Sequence, residues 1–206
     1  MSSRHETAFA ELWPRFGLAV EDGDRRPLDL VGLFGGVVPV VLEIGFGMGD
    51  SLAAMAAADP GRGYLGIEVH TPGIGNLLAL VGERELTNVR VARGDAMELV
   101  HRLAPGALDA VHVFFPDPWP KSRHHKRRLI GPGNVPLLRE RLRPGGVLHC
   151  ATDWPEYAEA MVATLDADPG LERAGRDRGE RPVTKFEQRG TAAGRPIVDL
   201  RYRRLS

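Results

Sequence analysis

VVPVVLEIGFGMGDSLAAMAAA, residues 37–58, passes from a β-branched apolar run through a glycine-spaced loop into an alanine-rich segment. A strand with water on one face would alternate polar and apolar residues, so a nearly continuous apolar run that turns directly into a helix predicts a parallel sheet covered on both faces. The loop is Glu43-Ile44-Gly45-Phe46-Gly47-Met48-Gly49. Glycine at every second position lets the backbone turn sharply and lets a ligand lie against it with no Cβ between them. The dinucleotide fingerprint G-x-G-x-x-G fails in both registers, because one ends on Asp50 and the other on Leu52. No G-K-[ST] follows, so the loop is not a Walker phosphate loop.

The alternation continues along the chain. GYLGIEV (63–69), VRVARGD (89–95), LDAVHVFFP (108–116) and GGVLHCAT (145–152) are strand-like, and PGIGNLLALVGEREL (72–86), AMELVHRL (96–103), a stretch near 134–142 and PEYAEAMVATLDAD (155–168) are helical. Strands alternating with helices predict a doubly wound α/β domain. After Asp168 the charged stretch RAGRDRGERP is expected to form a loop, and IVDLRYRR (197–204) a last strand. The expected organisation is one domain, 1–206, with an N-terminal extension (1–36), a ligand-binding core (37–170) and a C-terminal part (171–206) that completes the sheet. Open sheets of this kind bind ligands beyond the carboxyl ends of their strands. Five such ends carry an acid: Glu43, Glu68, Asp95, Asp117 and Asp153.

Composition sets the bounds. At 206 residues and 43% hydrophobic side chains the chain suits one globular core. Lys plus Arg equals Asp plus Glu at 27 each, so any affinity for a polyanion must come from local clustering. Cys150 is the single cysteine, which excludes an internal disulfide and a cysteine-rich zinc site. His124-His125 has no further ligands at suitable spacing, so no metal is expected. The amino terminus lacks a secretory-type apolar stretch, and the longest apolar run, Val31 to Leu42, is shorter than the roughly 18 residues of a membrane span. A soluble, cytoplasmic protein, monomeric or homodimeric, is expected.

E-x-G-x-G-x-G resembles the first motif of Rossmann-like S-adenosylmethionine-dependent methyltransferases. That donor has no pyrophosphate to place on a helix amino terminus but carries an ammonium and a sulfonium that favour nearby carboxylates. Glu68 stands where an acid accepts hydrogen bonds from ribose hydroxyls. Asp95 stands where this fold contacts the adenine amino group, and it is equally placed to cap the helix that follows.

FFPDPWPKSRHHKRR (114–128) brings an acid, three prolines, a tryptophan and five cations together past the fourth strand. Together with VLEIGFGMGDSL, GIEVHTPGIG, ATDW and RPVTKFEQRG, it is similar to the bacterial tRNA (guanine-N7)-methyltransferase family over nearly the whole chain from about Phe9. The resemblance implies a class I methyltransferase fold, a mostly parallel sheet of about seven strands with the last antiparallel. It implies donor contacts from Glu43, Gly45, Gly47, Gly49, Glu68, Asp95 and Asp117, with Asp117 also as catalytic acid. It implies nucleoside contacts from Lys121, Asp153, Thr184, Lys185, Phe186 and Glu187, and RNA contacts from Arg123, Lys126, Arg127 and Arg128.

The chemistry agrees with those implications. Guanine N7 already has an in-plane lone pair, so the enzyme must align reactants rather than remove a proton. Asp117 or Asp153 is suited to accept from the guanine N1–H and 2-amino group, and Trp119 or Phe186 to stack on a base turned out of the RNA. Two departures from the family pattern stand out: no basic arm carrying an R-S-F and G-R pattern opens the chain, from which weaker tRNA affinity is an expectation, and Thr71 stands where an arginine is expected after the E-V-H string, which puts one anionic contact in question. Thr71-Pro72 still suits a helix cap and first turn. A methyltransferase for small molecules or proteins would share the glycine loop but not the cationic run, and a non-catalytic RNA module would not need Asp117, Lys121, Asp153 and TKFE together.

Overall fold

A computed structural model describes residues 2–192 and 194–206, with the side chains at positions 185, 186, 189 and 190 outside the description. The chain divides into two compact units, Met1–Ala104 with Glu180–Pro182, and Pro105–Gly179 with Val183–Ser206.

The first unit opens with helix α1 (Ser3–Phe16), capped by the Ser2 side chain, which accepts from the His5 N–H. It continues with β1 (Gly17–Ala19), α2 (Leu30–Phe34), β2 (Val40–Ile44), α3 (Asp50–Ala58), β3 (Gly63–Glu68), α4 (Thr71–Glu83), β4 (Val89–Arg93) and α5 (Ala96–Arg102). The strands lie in the order β1-β4-β3-β2, all parallel. Every residue of β2 is buried, as the unbroken apolar run predicts for a strand covered on both faces. Leu42, Leu65, Leu52, Leu77, Leu78 and Leu99 are fully buried. Each such side chain contributes about 1.5–3 kcal/mol of transfer free energy, and together they hold β2, β3, α3, α4 and α5 as one core. The stretch 1–36 is therefore not a bare extension, since α1 packs on α4 and β1 pairs with β4.

The second unit contains β5 (Leu108–Phe114), a 3-10 helix (Ser122–Arg127), α6 (Val135–Arg141), β6 (Leu142–Thr152), α7 (Pro155–Asp166), β7 (Leu171–Gly175), α8 (Lys185–Ala192) and β8 (Val198–Arg204). Its strands lie in the order β5-β6-β8-β7, with β5 and β6 parallel and β8 antiparallel to both β6 and β7. The antiparallel last strand is as expected. A buried His149–Asp199 contact of 2.8 Å ties β6 to β8.

Eight strands are present among the described residues, against the expected seven or so. Six of them match the apolar runs of the sequence; the two that do not are β1 and β7, three and five residues long. The start of RAGRDRGERP (173–182) is strand rather than loop: it forms the second half of β7, with Arg173 opposite Tyr202 and Gly175 opposite Arg201 of β8. So short and charged an edge strand has no periodicity of its own to reveal it.

Candidate active site

In the first unit the glycine turn leaves the carboxyl end of β2 and leads into α3. Gly45, Gly47 and Gly49 have φ of +71°, +58° and +79°, a left-handed backbone that other residues rarely adopt. A Cβ built on Gly45 or Gly47 meets nothing within 4 Å, so the turn presents bare backbone to open space. It is held by contacts on several sides. Gly45 N–H donates to the Ile67 carbonyl at 2.9 Å, Gly47 N–H to Glu68 Oε2 at 2.9 Å, and Asn76 Nδ2 to the Met48 carbonyl at 2.6 Å. Arg4 of α1 in turn donates to Asn76 Oδ1 at 2.8 Å.

Glu43 is the charged residue of β2. It is 3% exposed, its Oε2 has no hydrogen-bond partner, and burial pushes its carboxyl up to about 8. A buried polar atom left unpaired costs about 1–3 kcal/mol, a cost that a bound cation would relieve. Glu68 also accepts from the Val69 and His70 N–H groups at 2.8 and 3.1 Å. With Gly47, three of about four acceptor positions on that carboxylate are filled, leaving room for one hydroxyl. Asp95 caps α5, its Oδ1 accepting from Met97 N and Glu98 N at 2.7 and 3.1 Å. An open left-handed turn beside a buried, unpaired carboxyl fits adenosylmethionine, whose ammonium and sulfonium are cationic.

Gly73, in the first turn of α4, is a part of this site that the sequence reading missed. A Cβ there would fall well inside the van der Waals radius of the Gly47 carbonyl oxygen. Gly73→Ala must therefore displace the glycine turn, and overpacking of this kind costs about 1–3 kcal/mol, which, carried into donor binding, predicts a rise of roughly 5- to 150-fold in the adenosylmethionine Kd by calorimetry.

In the second unit the DPWP loop follows β5. Phe115 N–H donates to the Ala151 carbonyl at 2.7 Å, and Phe115 then turns left-handed at φ +53°, as does Trp119 at +44°. Left-handed backbone costs a non-glycine residue roughly 1–2 kcal/mol, and such strain gathers where a side chain must be presented in a set direction. The residue presented between the two is Asp117, which is exposed. Trp119 is half-buried rather than core, with the Arg127 guanidinium 5.0 Å from its ring centroid and His124 edge-on at 5.9 Å. Lys121, Arg123, Lys126 and Arg127 are exposed on and beside the 3-10 helix.

Arg128 is a correction to the expected RNA-contacting set. It is 6% exposed, with Nε donating to the Pro118 carbonyl at 2.9 Å and Nη2 donating to both Glu156 oxygens at 3.1 and 3.0 Å. Glu187 departs from expectation in the same way. It is 3% exposed and accepts from two nitrogens of Arg178, one at 2.8 Å, so its carboxylate is committed within the unit. Thr184 Oγ1 accepts from Glu187 N at 3.2 Å and so caps α8, while the side chains of Lys185 and Phe186 lie outside the described residues. Asp153 follows β6 directly, and its buried Oδ2 lies 3.2 Å from Arg195 Nη1 but misaligned for a hydrogen bond, which makes the attraction coulombic alone. The neighbouring Trp154 is 36% exposed, an aromatic side chain open to solvent that the sequence reading did not select.

A family model described as "Putative methyltransferase" matches residues 38–200. A tRNA (guanine-N(7)-)-methyltransferase of Burkholderia pseudomallei (strain 1710b) is 51% identical over 209 residues, covering 99% of this chain and 78% of its own. The chain belongs to the tRNA (guanine-N7)-methyltransferase family. Other members are equally similar. That of Halorhodospira halophila is 51% identical over 98% of this chain and 90% of its own, and that of Streptomyces coelicolor 53% identical over 96% and 75%. Solved structures agree on the fold. The 16S rRNA methyltransferase KamB superposes with a TM-score of 0.62 at 16% identity, over 91% of this chain and 99% of that one. The [4+2]-cyclase SpnF gives 0.57 at 17% identity, over 98% and 96%. A cyclase on the same fold means that architecture alone does not select the reaction.

Proposed function

We infer that this protein transfers a methyl group from S-adenosylmethionine to N7 of a guanine in tRNA, giving 7-methylguanosine. The observation that carries the reading is identity of about one residue in two, over nearly the whole chain, with tRNA (guanine-N(7)-)-methyltransferases. The guanine is placed in the variable loop, and the cytoplasm is proposed as the place of action. Among the described residues no helix is long and apolar enough to cross a membrane.

Adenosylmethionine supplies, when bound, an electrophilic methyl group on a sulfonium. Glu43, Gly45, Gly47, Gly49, Glu68 and Asp95 are proposed to hold it, with Glu43 meeting positive charge and Glu68 a ribose hydroxyl. Because N7 needs no deprotonation, the chain's own residues have an alignment task, worth up to about 7–11 kcal/mol in favourable systems. Asp117 and Asp153 are proposed to accept from the guanine N1–H and amino group. An adenine, which offers neither donor in that arrangement, would leave a carboxylate unpaired. The same acids offset the positive charge that develops on the ring as N7 is alkylated. Lys121 stands between Asp117 and the cationic helix, suited to the target nucleoside's phosphate. Nucleoside analysis of tRNA after incubation with enzyme and donor tests the reading: 7-methylguanosine is expected, and an unmodified guanine pool would refute it.

Arg123, Lys126 and Arg127 are proposed to meet RNA phosphates, being exposed, clustered and cationic. Every phosphate that a removed cation leaves unneutralised lowers the slope of log K against log salt by about 0.9. Replacing all three with alanine is therefore expected to weaken tRNA binding and flatten that slope by about two to three units in a salt titration.

A further inference from the structure

Arg128 is chemically identical to Arg127 and differs from it in every contact. A guanidinium at its depth has to have each polar edge met. Its Nε donates to the Pro118 carbonyl at 2.9 Å, its Nη2 to both oxygens of Glu156, and its face lies 4.7 Å from the Tyr157 ring centroid. Tyr157 is itself fixed, its hydroxyl accepting from Ile130 N at 3.1 Å. One planar group thus joins three segments. The first is its own backbone, whose N–H closes the 3-10 helix on the His125 carbonyl at 3.0 Å. The second is Pro118, adjacent to Asp117. The third is the first turn of α7, where Glu156 comes three residues after Asp153.

We propose that Arg128 is a positioning residue. It sets the placement of Asp117 relative to Asp153 and couples both to the exposed cationic helix, and it does not itself neutralise an RNA phosphate. The loop it holds has two left-handed non-glycine residues, Phe115 and Trp119, a conformation that relaxes unless the surrounding structure enforces it. The Pro118 carbonyl lies between them in sequence, and Arg128 is its donor. Lysine cannot reproduce the arrangement. Its ammonium is a point charge without the planar fork that reaches a carbonyl and a carboxylate together, and without a face to lie on Tyr157.

The proposal rests on the methyltransferase reading above, so its test uses the full chain, adenosylmethionine and bulk tRNA. Wild type, Arg128→Gln, Arg128→Lys and Glu156→Gln are compared for kcat and KM in guanine methylation and for tRNA Kd across a salt series. Displacing reacting groups by about 1 Å can cost about 100-fold. Arg128→Gln is thus expected to lower kcat by roughly 10–100-fold with tRNA Kd and salt slope unchanged, and Arg128→Lys to restore little. Glu156→Gln is expected to lower kcat in the same direction although it removes a negative charge beside the cationic helix. A phosphate-binding Arg128 predicts the reverse. Arg128→Gln would then lose about one unit of salt slope with kcat at saturating tRNA intact, and Glu156→Gln, by freeing the guanidinium, would tighten tRNA binding. Either of those results overturns the proposal. Should Arg128→Gln fail to fold, Glu156→Gln still separates the two cases, because a positioning Arg128 predicts a lower kcat with tRNA affinity unchanged and a phosphate-binding Arg128 predicts tighter tRNA binding with kcat intact. Activity of the wild type in the same assay separates the two readings: its absence removes the functional reading and this proposal with it, whereas an active wild type with kcat-neutral variants removes this proposal alone.

Discussion

Asp117→Ala is expected to reduce 7-methylguanosine formation by about 10²–10³-fold, the usual consequence of deleting one group that stabilises developing charge in an active site. The protein should stay folded. Asp117 is exposed and lies outside both cores, in a loop whose form is set by its neighbours. A surface substitution of this kind changes stability by about 0.5 kcal/mol or less. tRNA affinity should also persist, because the exposed cations Arg123, Lys126 and Arg127 are untouched. Asp117→Asn separates shape from charge: it can still accept a hydrogen bond through its amide oxygen but cannot balance a cationic ring, so it should fall between wild type and alanine. The measurement is single-turnover methylation with saturating tRNA and donor. Normal turnover in the alanine variant would remove Asp117 from the mechanism.

Glu43→Gln should have the second largest effect, and it carries a pH signature. Burial raises the Glu43 carboxyl from its ordinary 4.5 to about 8 in the folded ligand-free protein. Below pH 4.5 the group is protonated in both folded and unfolded chains, and the fold is not penalised. As pH rises from there to about 8 the unfolded chain ionises and the folded one does not, so the folded state loses stability progressively and the loss then levels off. Glutamine, neutral at every pH, escapes that loss, and the variant should melt higher than wild type at pH 8 but not near pH 4. Donor binding moves the other way. A cation beside Glu43 favours its carboxylate, so binding between about pH 5 and 7 should release a proton and tighten as pH rises. Losing a hydrogen bond to a charged group costs about 1.5–3 kcal/mol, so the variant's donor Kd should rise roughly 10–100-fold and its proton release disappear. Calorimetry in buffers of different ionisation enthalpy reads both. Equal proton release by the two proteins would place Glu43 away from the donor.

Much of this site was legible in linear sequence because its parts are local. The glycine turn announces itself by spacing, since alternating Gly45, Gly47 and Gly49 satisfy left-handed backbone where other residues cannot. The acids at strand ends follow from periodicity, because an apolar run that stops at a carboxylate marks the strand's carboxyl end. Asp95 was equally a cap and a ligand in the sequence, and the structure shows the cap. The strands β2, β3, β4, β5, β6 and β8 were each visible as apolar runs, whereas β1 and β7, at three and five residues, were not. Their pairing energy comes from partners distant in the chain.

The run Arg123 to Arg128 shows where linear reading ends. Charge, spacing and chemistry give its last two arginines the same role, yet one lies over an indole in solvent and the other is buried against a carboxylate 28 residues away. Glu187 is another such case, a charged residue of a distinctive motif whose carboxylate is taken by Arg178. Gly73 is a third, an ordinary-looking helix residue that allows α4 to approach the Gly47 carbonyl. Backbone preference and hydrophobic period act over a few residues and are written in the order of the chain, so strands, helices, the ligand turn and the set of reactive acids can be read there. Burial and partner choice depend on which segments the folded core brings within hydrogen-bonding distance. Those contacts decide which charges stay free to meet RNA and which hold the loop that presents Asp117.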